Sequence, residues 1–284
     1  MDRCHTDIIS EICRSPVRSI RPLSGGCIAA VFQVTLENGT RIVAKAGNGA
    51  GVLTIEGRML GYLAAHTELP VPAVLYASAR LLLIQHCRHE PPLTALSEAD
   101  AARHLGKLHA LSADHFGFEW NTLIGPLDQP NPKTERWIPF FRDHRLLYMA
   151  GLANQAGRLP NRLLDRVLLL AEDLPDFLLE PDQPSLIHGD LWAGNMLCYG
   201  NKISAFIDPA LYFADAEIEL AYATLFASVG DAFFDAYQQL RPLKPGFFEA
   251  RRDLYNLYPL LVHVRLFGGH YVASVEATLE RYGY

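Results

Sequence analysis

The sequence predicts an α+β fold in two lobes: a small antiparallel five-stranded lobe with one main helix, and a larger, mainly helical lobe. Three observations predict it. The first part of the chain has short β-branched and apolar runs separated by turn signals, which predict strands. The later part has apolar residues at helical spacing, which predict helices. A polar, proline-rich segment at 88–92 lies between the two parts and predicts a linker. The predicted lobes are therefore residues 1–88 and 89–284. A chain of 284 residues can bury a core in each.

The small lobe is predicted to begin with a short helix, because Ile8, Ile9 and Ile12 fit one helical face. Asn38-Gly39 is typical of the tight turn of a β-hairpin. A longer helix is predicted between the third and fourth strands and ends before Leu69-Pro70. The predicted elements are the strands Ser19–Leu23, Ala30–Leu36, Arg41–Ala46, Val74–Ala77 and Leu81–His86, and the helix Leu53–His66.

The large lobe is predicted from helical spacing. Ser97-Glu98-Ala99-Asp100 predicts a capped helix start, since Ala101, Leu105, Leu108 and Leu111 then share one face. Two more helices are predicted around Leu163, Val167 and Leu170, and around Leu254, Leu257, Leu261 and Val264, with a kink at Pro259. A short hairpin is predicted from Met196–Tyr199 and Ile203–Ile207.

Composition excludes several classes of function. The formal charge is −6 and no Lys/Arg-rich block is present, so we expect no nucleic-acid partner. No apolar run is long enough to cross a membrane, and the N-terminal residues are polar where a signal peptide is apolar. The five cysteines form no CxxC pair, which fits a reducing compartment. We expect a cytoplasmic monomer without a membrane partner.

One constellation in the large lobe predicts chemistry. Leu186-Ile187-His188-Gly189-Asp190-Leu191-Trp192-Ala193-Gly194-Asn195 is followed, beyond the hairpin, by Phe206-Ile207-Asp208-Pro209. In-line phosphoryl transfer needs a group that orients and deprotonates a hydroxyl, and oxygen ligands for magnesium. Asp190 is the predicted base, and Asn195 and Asp208 are the predicted Mg²⁺ ligands. Each residue alone would also fit a plain turn, and His188 is expected to have a structural role.

A second constellation lies in the small lobe. Glu56 shares a helical stripe with Leu60 and Leu63, which predicts that its carboxylate faces inward. An unpaired buried charge is costly, and Lys45 at the end of the third strand is the nearest cation by topology. We therefore predict a Lys45–Glu56 pair that holds nucleotide phosphates, against the alternative of a solvent-facing lysine.

Two further segments are candidates for nucleotide contacts. Gly25 and Gly26 lie between the first two strands, where a loop could approach phosphates closely, although a plain hairpin turn would also fit. Cys27 in that loop is either a packed side chain or a thiol with a lowered pKa, and redox control or a redox-linked dimer through Cys27 is a minor hypothesis. Gln85-His86-Cys87 follow the last small-lobe strand, where backbone groups could bind adenine.

Trp192, two residues after the predicted base, is a candidate for stacking on the acceptor substrate. The run His188-Gly189-Asp190-Leu191-Trp192-x-Gly194-Asn195 resembles the fructosamine kinase (ketosamine 3-kinase) family, within the protein-kinase-like and aminoglycoside phosphotransferase-like superfamily. The resemblance covers nearly the whole chain, through Phe116-Gly117-Phe118, Asp208-Pro209-Ala210-x-Tyr212, Glu217-x-Glu219-Leu220-Ala221 and Leu266-Phe267-Gly268.

This resemblance implies a two-lobed protein-kinase-like fold and ATP-dependent phosphorylation, with Mg²⁺, of the sugar 3-hydroxyl of a ketoamine. The substrate would be a small ketoamine or a glycated protein lysine, and the role would be deglycation. By position, Asp190, Asn195 and Asp208 keep the roles given above, Lys45 and Glu56 form the phosphate clamp, and Gln85, His86 and Cys87 form the nucleotide hinge, with Trp192 near the substrate.

Three alternatives stay open at this point. Glu217, like Glu219, is a candidate contact for the substrate amine, but glutamates are also favoured at a helix N-terminus. The acceptor could be another hydroxyl compound, such as an aminoglycoside, choline or a homoserine-like metabolite. A nucleotide-binding pseudokinase is less consistent with the sequence, because the base, the metal ligands and the lysine are all present.

Overall fold

The small lobe is built on a five-stranded antiparallel sheet. The computed structural model describes residues 3–23 and 29–284. Helix α1 (Arg3–Ile12) precedes strands β1 (Val17–Pro22), β2 (Ala30–Leu36), β3 (Arg41–Ala46), β4 (Val74–Ala77) and β5 (Leu81–Gln85), with α2 (Val52–His66) after β3. The strand order is β1-β2-β3-β5-β4. The predicted fold class is confirmed, and the bounds of the five strands agree with prediction to within two residues.

The hairpin between β2 and β3 sets the register of the sheet. Gly39 has a φ of +84°, which a residue without Cβ adopts at little cost. The Asn38 side chain accepts a hydrogen bond from the Thr40 amide at 3.0 Å and closes the turn. In the resulting register β3 lies between β2 and β5, where Lys45 pairs with Val31 and with Leu82. Lys45 is thus on a central strand.

Helix α2 packs against both lobes. Leu53 and Leu60 pack against Leu82 of the small-lobe sheet. Met59 and Leu63, on another side of the helix, belong to the core of the large lobe. Because both lobes hold α2, its Glu56 is presented from a fixed element.

The large lobe packs its helices around a long buried helix, α9, and around short antiparallel strand pairs. One pair is β8 with β11, another is the hairpin of β9 and β10, and a third is β6 with β7. The bounds are α3 (Ala95–Leu108), β6 (Thr122–Ile124), β7 (Leu127–Gln129), α4 (Trp137–Phe141), α5 (Tyr148–Gln155), α6 (Asn161–Phe177), β8 (Ser185–Ile187), β9 (Met196–Tyr199), β10 (Lys202–Phe206), β11 (Tyr212–Ala214), α7 (Ala216–Thr224), α8 (Asp231–Gln238), α9 (Arg252–Phe267) and α10 (His270–Arg281).

The predicted cap of α3 is wrong by three residues, and Leu111 lies beyond the end of the helix at Leu108. Thr94 is the N-cap, and its hydroxyl accepts from the Ser97 amide at 3.2 Å while the Ser97 hydroxyl accepts from the Thr94 amide at 2.7 Å. Ser97 is therefore the third helical residue of a capping box. The predicted helix continues through Pro259 within α9. Among the described residues, no helix combines the length and the apolar character needed to cross a bilayer.

Candidate active site

The loop after β8 carries the predicted base and depends on Gly189. Gly189 has a φ of +88°, and a Cβ there would overlap the backbone carbonyl of Ala210. The Ala210 amide in turn donates to the His188 carbonyl at 2.8 Å, so the two segments are held in close contact. A side chain at this position is excluded by both the backbone conformation and the space. The glycine of the His-Gly-Asp sequence is a steric requirement.

Asp190 and Asn195 lie side by side on this loop. The Asn195 amide nitrogen donates to the Asp190 backbone carbonyl and to its Oδ2, each at 2.9 Å. Burial raises the pKa of Asp190 to about 7, and the Asp208 carboxylate raises that pKa further, whereas the neighbouring Tyr222 hydroxyl and Asn195 amide lower it. A carboxylate with a pKa near neutrality is suited to accept a proton in a reaction.

Asp208 lies just beyond β10 and faces the same space. The amide of Ile207 donates to the Asn195 carbonyl at 3.0 Å, which fixes the spacing of the two predicted metal ligands. Asp208 has a φ of +54°, in the left-handed region that residues with a Cβ seldom adopt, although aspartate does so more readily than most. Its side chain is 40% exposed. Strained backbone of this kind is concentrated at functional sites, where the surrounding structure maintains it.

Lys45 joins the small lobe to Asp208. Its Nζ donates to Glu56 Oε1 at 2.6 Å and also to Asp208 Oδ1. Burial alone would lower the pKa of Lys45, but the Glu56 and Asp208 carboxylates outweigh burial and raise that pKa above its ordinary range. Lys45 therefore stays charged at neutral pH. The predicted pairing with Glu56 is present, while the phosphate-binding role of the pair stays a prediction.

The residues present fit a magnesium ion bound together with phosphates. Mg²⁺ is usually held by one or two carboxylates plus substrate phosphates and waters, rather than by an all-protein cage. The Asn195 amide nitrogen faces Asp190, which leaves its Oδ1 as the atom for a metal. Over the described residues, no group of three or more His, Cys, Asp or Glu side chains forms a metal cage. Asn195 and Asp208 are thus the candidate ligands.

Trp192 lies on the rim of this site. Its side chain is 39% exposed and contacts the Phe226 ring edge to face, with centroids 6.5 Å apart. A Cβ on Gly194 would overlap the Trp192 ring, so Gly194 makes room for the indole. Phe226 in turn lies 5.1 Å from the His263 ring. An aromatic wall of this kind fits the predicted substrate contact of Trp192, which stays a prediction.

Glu217 has a partner other than the one expected from the sequence. Its carboxylate accepts two hydrogen bonds from the Arg251 guanidinium, at 2.6 and 2.7 Å, and it is buried. Residues two apart on a helix point about 200° apart, so Glu217 and Glu219 leave α7 on different sides. The substrate contact of Glu217 stays a prediction, and its carboxylate already has a structural function.

Glu219, a candidate contact for the substrate amine in the sequence, has a different position in the structure. It is 1% exposed and accepts hydrogen bonds from the Gly189 amide at 2.6 Å and the His188 amide at 3.1 Å. His109 Nε2 donates to it at 2.8 Å, and Tyr237 bonds the other ring nitrogen at 2.7 Å. Glu219 therefore anchors the loop of the predicted base rather than facing a substrate amine. Its position in the first turn of α7 gave no signal for this role.

The remaining predicted nucleotide contacts lie after β5 and between β1 and β2. Gln85 ends β5, and its amide donates to the Ala73 carbonyl at 2.9 Å. Burial lowers the pKa of His86, and the Cys87 thiol contacts the Gln85 carbonyl at 3.9 Å. These observations leave the hinge role a prediction. Gly25, Gly26 and Cys27 lie outside the described residues.

Comparison with known proteins gives the family. The fructosamine kinase family model matches residues 1–283. The chain belongs to the fructosamine kinase family. A candidate ketoamine kinase from Synechocystis is 37% identical over 183 residues, which is 63% of this chain and 60% of that relative's own length.

Solved structures agree with this family membership. A candidate fructosamine-3-kinase from Thermobifida fusca superposes with a TM-score of 0.86 at 29% identity, covering 97% of this chain and 98% of that one. An aminoglycoside phosphotransferase superposes with a TM-score of 0.68 at 17% identity, covering 98% and 99% of the two chains. The second likeness shows the fold alone.

Proposed function

We propose that this chain is an ATP-dependent kinase that phosphorylates the sugar hydroxyl of a ketoamine and so promotes its deglycation. One observation carries the proposal. Lys45 of the small lobe contacts Asp208 of the large lobe. The cation that would bind phosphate and a predicted metal ligand therefore lie at one site. The full-length family match supports a ketoamine as the acceptor, and the solved fructosamine-3-kinase-like relative supports the same class.

The chemistry follows from the residues in place. Asp190 orients the acceptor hydroxyl and takes its proton while the hydroxyl oxygen bonds the transferred phosphorus and ADP leaves. Lys45, held by Glu56, offsets the negative charge of the phosphates. When bound, Mg²⁺ would be held by Asn195 and Asp208 and would neutralise charge on the phosphate oxygens. Glu219 keeps the backbone of the loop in place through the reaction.

We also propose the finer assignments that accompany this activity. Residues 1–88 form the nucleotide-binding lobe and 89–284 the catalytic and substrate-binding lobe. Gly25, Gly26, Gln85, His86 and Cys87 contact the nucleotide, and Trp192 and Glu217 contact the substrate. The protein works as a cytoplasmic monomer on a free ketoamine or a glycated lysine.

A substrate panel tests the activity. Purified protein with ATP and Mg²⁺ is given ribulosamine, fructosamine, kanamycin or choline, and ADP formation is measured, with the phosphate position assigned by NMR. We expect kcat/KM for a ketoamine to exceed that for the other alcohols about 100-fold or more. The Asp190→Asn variant, purified in the same way, corrects for contaminating kinases. Preference for kanamycin or choline would overturn the ketoamine assignment.

A further inference from the structure

The two glutamates that the sequence offers for the substrate amine already have partners within the protein. Glu217 is paired with Arg251, and Glu219 accepts hydrogen bonds from His109 and from loop amides. The amine of a ketoamine carries a proton and a positive charge near neutral pH. Only the ketone carbon and its neighbour separate this nitrogen from the carbon of the 3-hydroxyl. A group that binds the cation should therefore lie beside the loop of Asp190.

Trp192 and Phe226 form an aromatic corner beside this loop. Their ring planes are 75° apart and their centroids are 6.5 Å apart. Trp192 is 39% exposed and Phe226 is 48% exposed, so a large part of each ring is open to a ligand. Cation–π attraction acts within about 6 Å of a ring centroid, and a cation seated between these two rings satisfies that distance for both.

The turn that carries Phe226 is strained. Phe226 and Ala227 have φ values of +60° and +50°, although both have a Cβ. The Ser228 hydroxyl donates to the Leu225 carbonyl at 2.9 Å across the turn, and the Phe226 ring packs 5.1 Å from the His263 ring. Strained backbone persists where the surrounding structure maintains it, and it is concentrated at functional sites. The turn thus holds a half-exposed aromatic ring in a fixed place.

The His263 ring behind Phe226 adds no charge that would repel a cation. Its Nδ1 donates to the Pro259 carbonyl at 2.7 Å. Burial lowers the pKa of His263, so the imidazole is neutral at neutral pH. The Tyr271 ring lies 4.8 Å from His263 and continues the aromatic surface. The groups around Phe226 are therefore compatible with a bound ammonium group.

We propose that Phe226 is a specificity-determining residue whose ring binds the protonated amine of the ketoamine, next to Trp192. The inference rests on the proposed function, which supplies the ketoamine. The attraction is between the positive charge and the electron-rich face of the ring. An ether oxygen in place of the amine nitrogen keeps the shape of the substrate but removes this attraction. The enzyme should therefore discriminate a ketoamine from the corresponding ether.

The Phe226→Leu variant tests this proposal, because leucine keeps an apolar side chain and removes the aromatic face. The two probes are 1-deoxy-1-propylaminofructose and 1-O-propylfructose. We expect kcat/KM for the amine to fall about 5- to 30-fold in Phe226→Leu, and kcat/KM for the ether to change less than about twofold. Phe226→Tyr keeps the aromatic face and should keep the preference of the parent for the amine.

Phe248→Leu is the matched control, since Phe248 is 37% exposed and packs on Phe234 and Phe247. It should change kcat/KM for neither probe. An unchanged preference for the amine in Phe226→Leu would overturn the proposal. Equal losses with both probes would do the same, because Phe226 would then contact the substrate without recognising its charge.

Calorimetry without ATP distinguishes this inference from the proposed function. The parent should bind the amine probe about tenfold more tightly than the ether probe, and Phe226→Leu should lose most of that difference. If the parent shows these affinities but makes no ADP with any ketoamine, the proposed function fails and cation binding by Phe226 stands. If the parent binds both probes equally, the inference fails whatever the turnover.

Discussion

Glu219 anchors the loop that carries Asp190, and this anchoring leads to a prediction with a definite size. Three N–H groups donate to this one buried carboxylate, from Gly189 at 2.6 Å, His109 at 2.8 Å and His188 at 3.1 Å. Glu219→Gln keeps the length and shape of the side chain but replaces one acceptor oxygen with an NH₂ donor. Steric effects are therefore small, and the change reports on hydrogen bonding.

The magnitude follows from which atom the amide oxygen replaces. In the better orientation the oxygen takes the place of Oε2, keeps the bonds from His188 and His109, and turns its NH₂ toward the Gly189 amide. One hydrogen bond to a charged group is lost, worth about 1.5–3 kcal/mol, and a buried donor is left unpaired at a cost of about 1–3 kcal/mol. We expect the free energy of unfolding to fall by about 3–5 kcal/mol, a large part of the stability of a typical domain.

Urea unfolding and steady-state turnover check this prediction together. The midpoint urea concentration should fall at nearly constant m-value, and kcat should fall about tenfold or more because Gly189 directly precedes Asp190. Glu276→Gln is the matched control, since Glu276 forms a solvent-accessible pair with Arg162 and should change neither quantity appreciably. Parent-like unfolding and parent-like kcat in Glu219→Gln would refute the anchoring role.

Four further predictions test the site. Asp190→Ala should lower kcat about 1,000-fold or more while the Kd for ATP, measured by calorimetry, stays near the parent value, because the base does not contact the ground-state phosphates; unchanged kcat would reject its role. Lys45→Met should cost about 3–5 kcal/mol in unfolding free energy by stranding the Glu56 carboxylate, and adding Glu56→Leu should recover part of that loss in urea unfolding. Gly194→Ala should displace the Trp192 ring and raise KM for the ketoamine several-fold without changing KM for ATP. If KM for the ketoamine is the same in the variant and the parent, Trp192 does not contact the acceptor substrate. Burial alone would raise the pKa of Glu219, but the hydrogen bond from His109 and the charges around it outweigh burial and lower that pKa. In the unfolded chain Glu219 is protonated near pH 4.3, whereas in the folded chain it stays ionised to a lower pH. The stability that Glu219 contributes should be complete above that pH and be lost on acidification, so the unfolding free energy of the parent should fall more steeply below pH 5 than that of Glu219→Gln.

The small lobe illustrates what can be predicted from local pattern. Asn38-Gly39 predicted the β2–β3 hairpin because the turn needs a positive φ at the glycine, and the structure has it at Gly39. The Lys45–Glu56 pair was predicted because a glutamate on an apolar stripe needs a cation, and that pairing is confirmed. The α3 cap was wrong because Thr94 and Ser97 are both good caps three residues apart, and propensity does not decide between two residues of a capping box.

The large lobe shows where sequence pattern is insufficient. Glu217 and Glu219 occupy the same first turn of α7 and have the same local signals. Their roles differ because Arg251 approaches one side of the helix and His109, 110 residues before Glu219, approaches another. Such partners depend on how the helices pack, and the spacing of residues along the chain does not predict them.

Local sequence pattern was sufficient to predict the two-lobed fold class, the candidate site residues Asp190, Asn195 and Asp208, and the pairing of Lys45, since each depends on periodicity, turn chemistry or the cost of an unpaired buried charge. Helix packing, by contrast, sets which acidic side chains lie at the predicted reaction site and which bind the loop that carries Asp190. The reason is physical: a carboxylate serves whichever donors the fold brings within hydrogen-bonding distance, and for Glu219 those donors come from His109 and from the loop amides of His188 and Gly189.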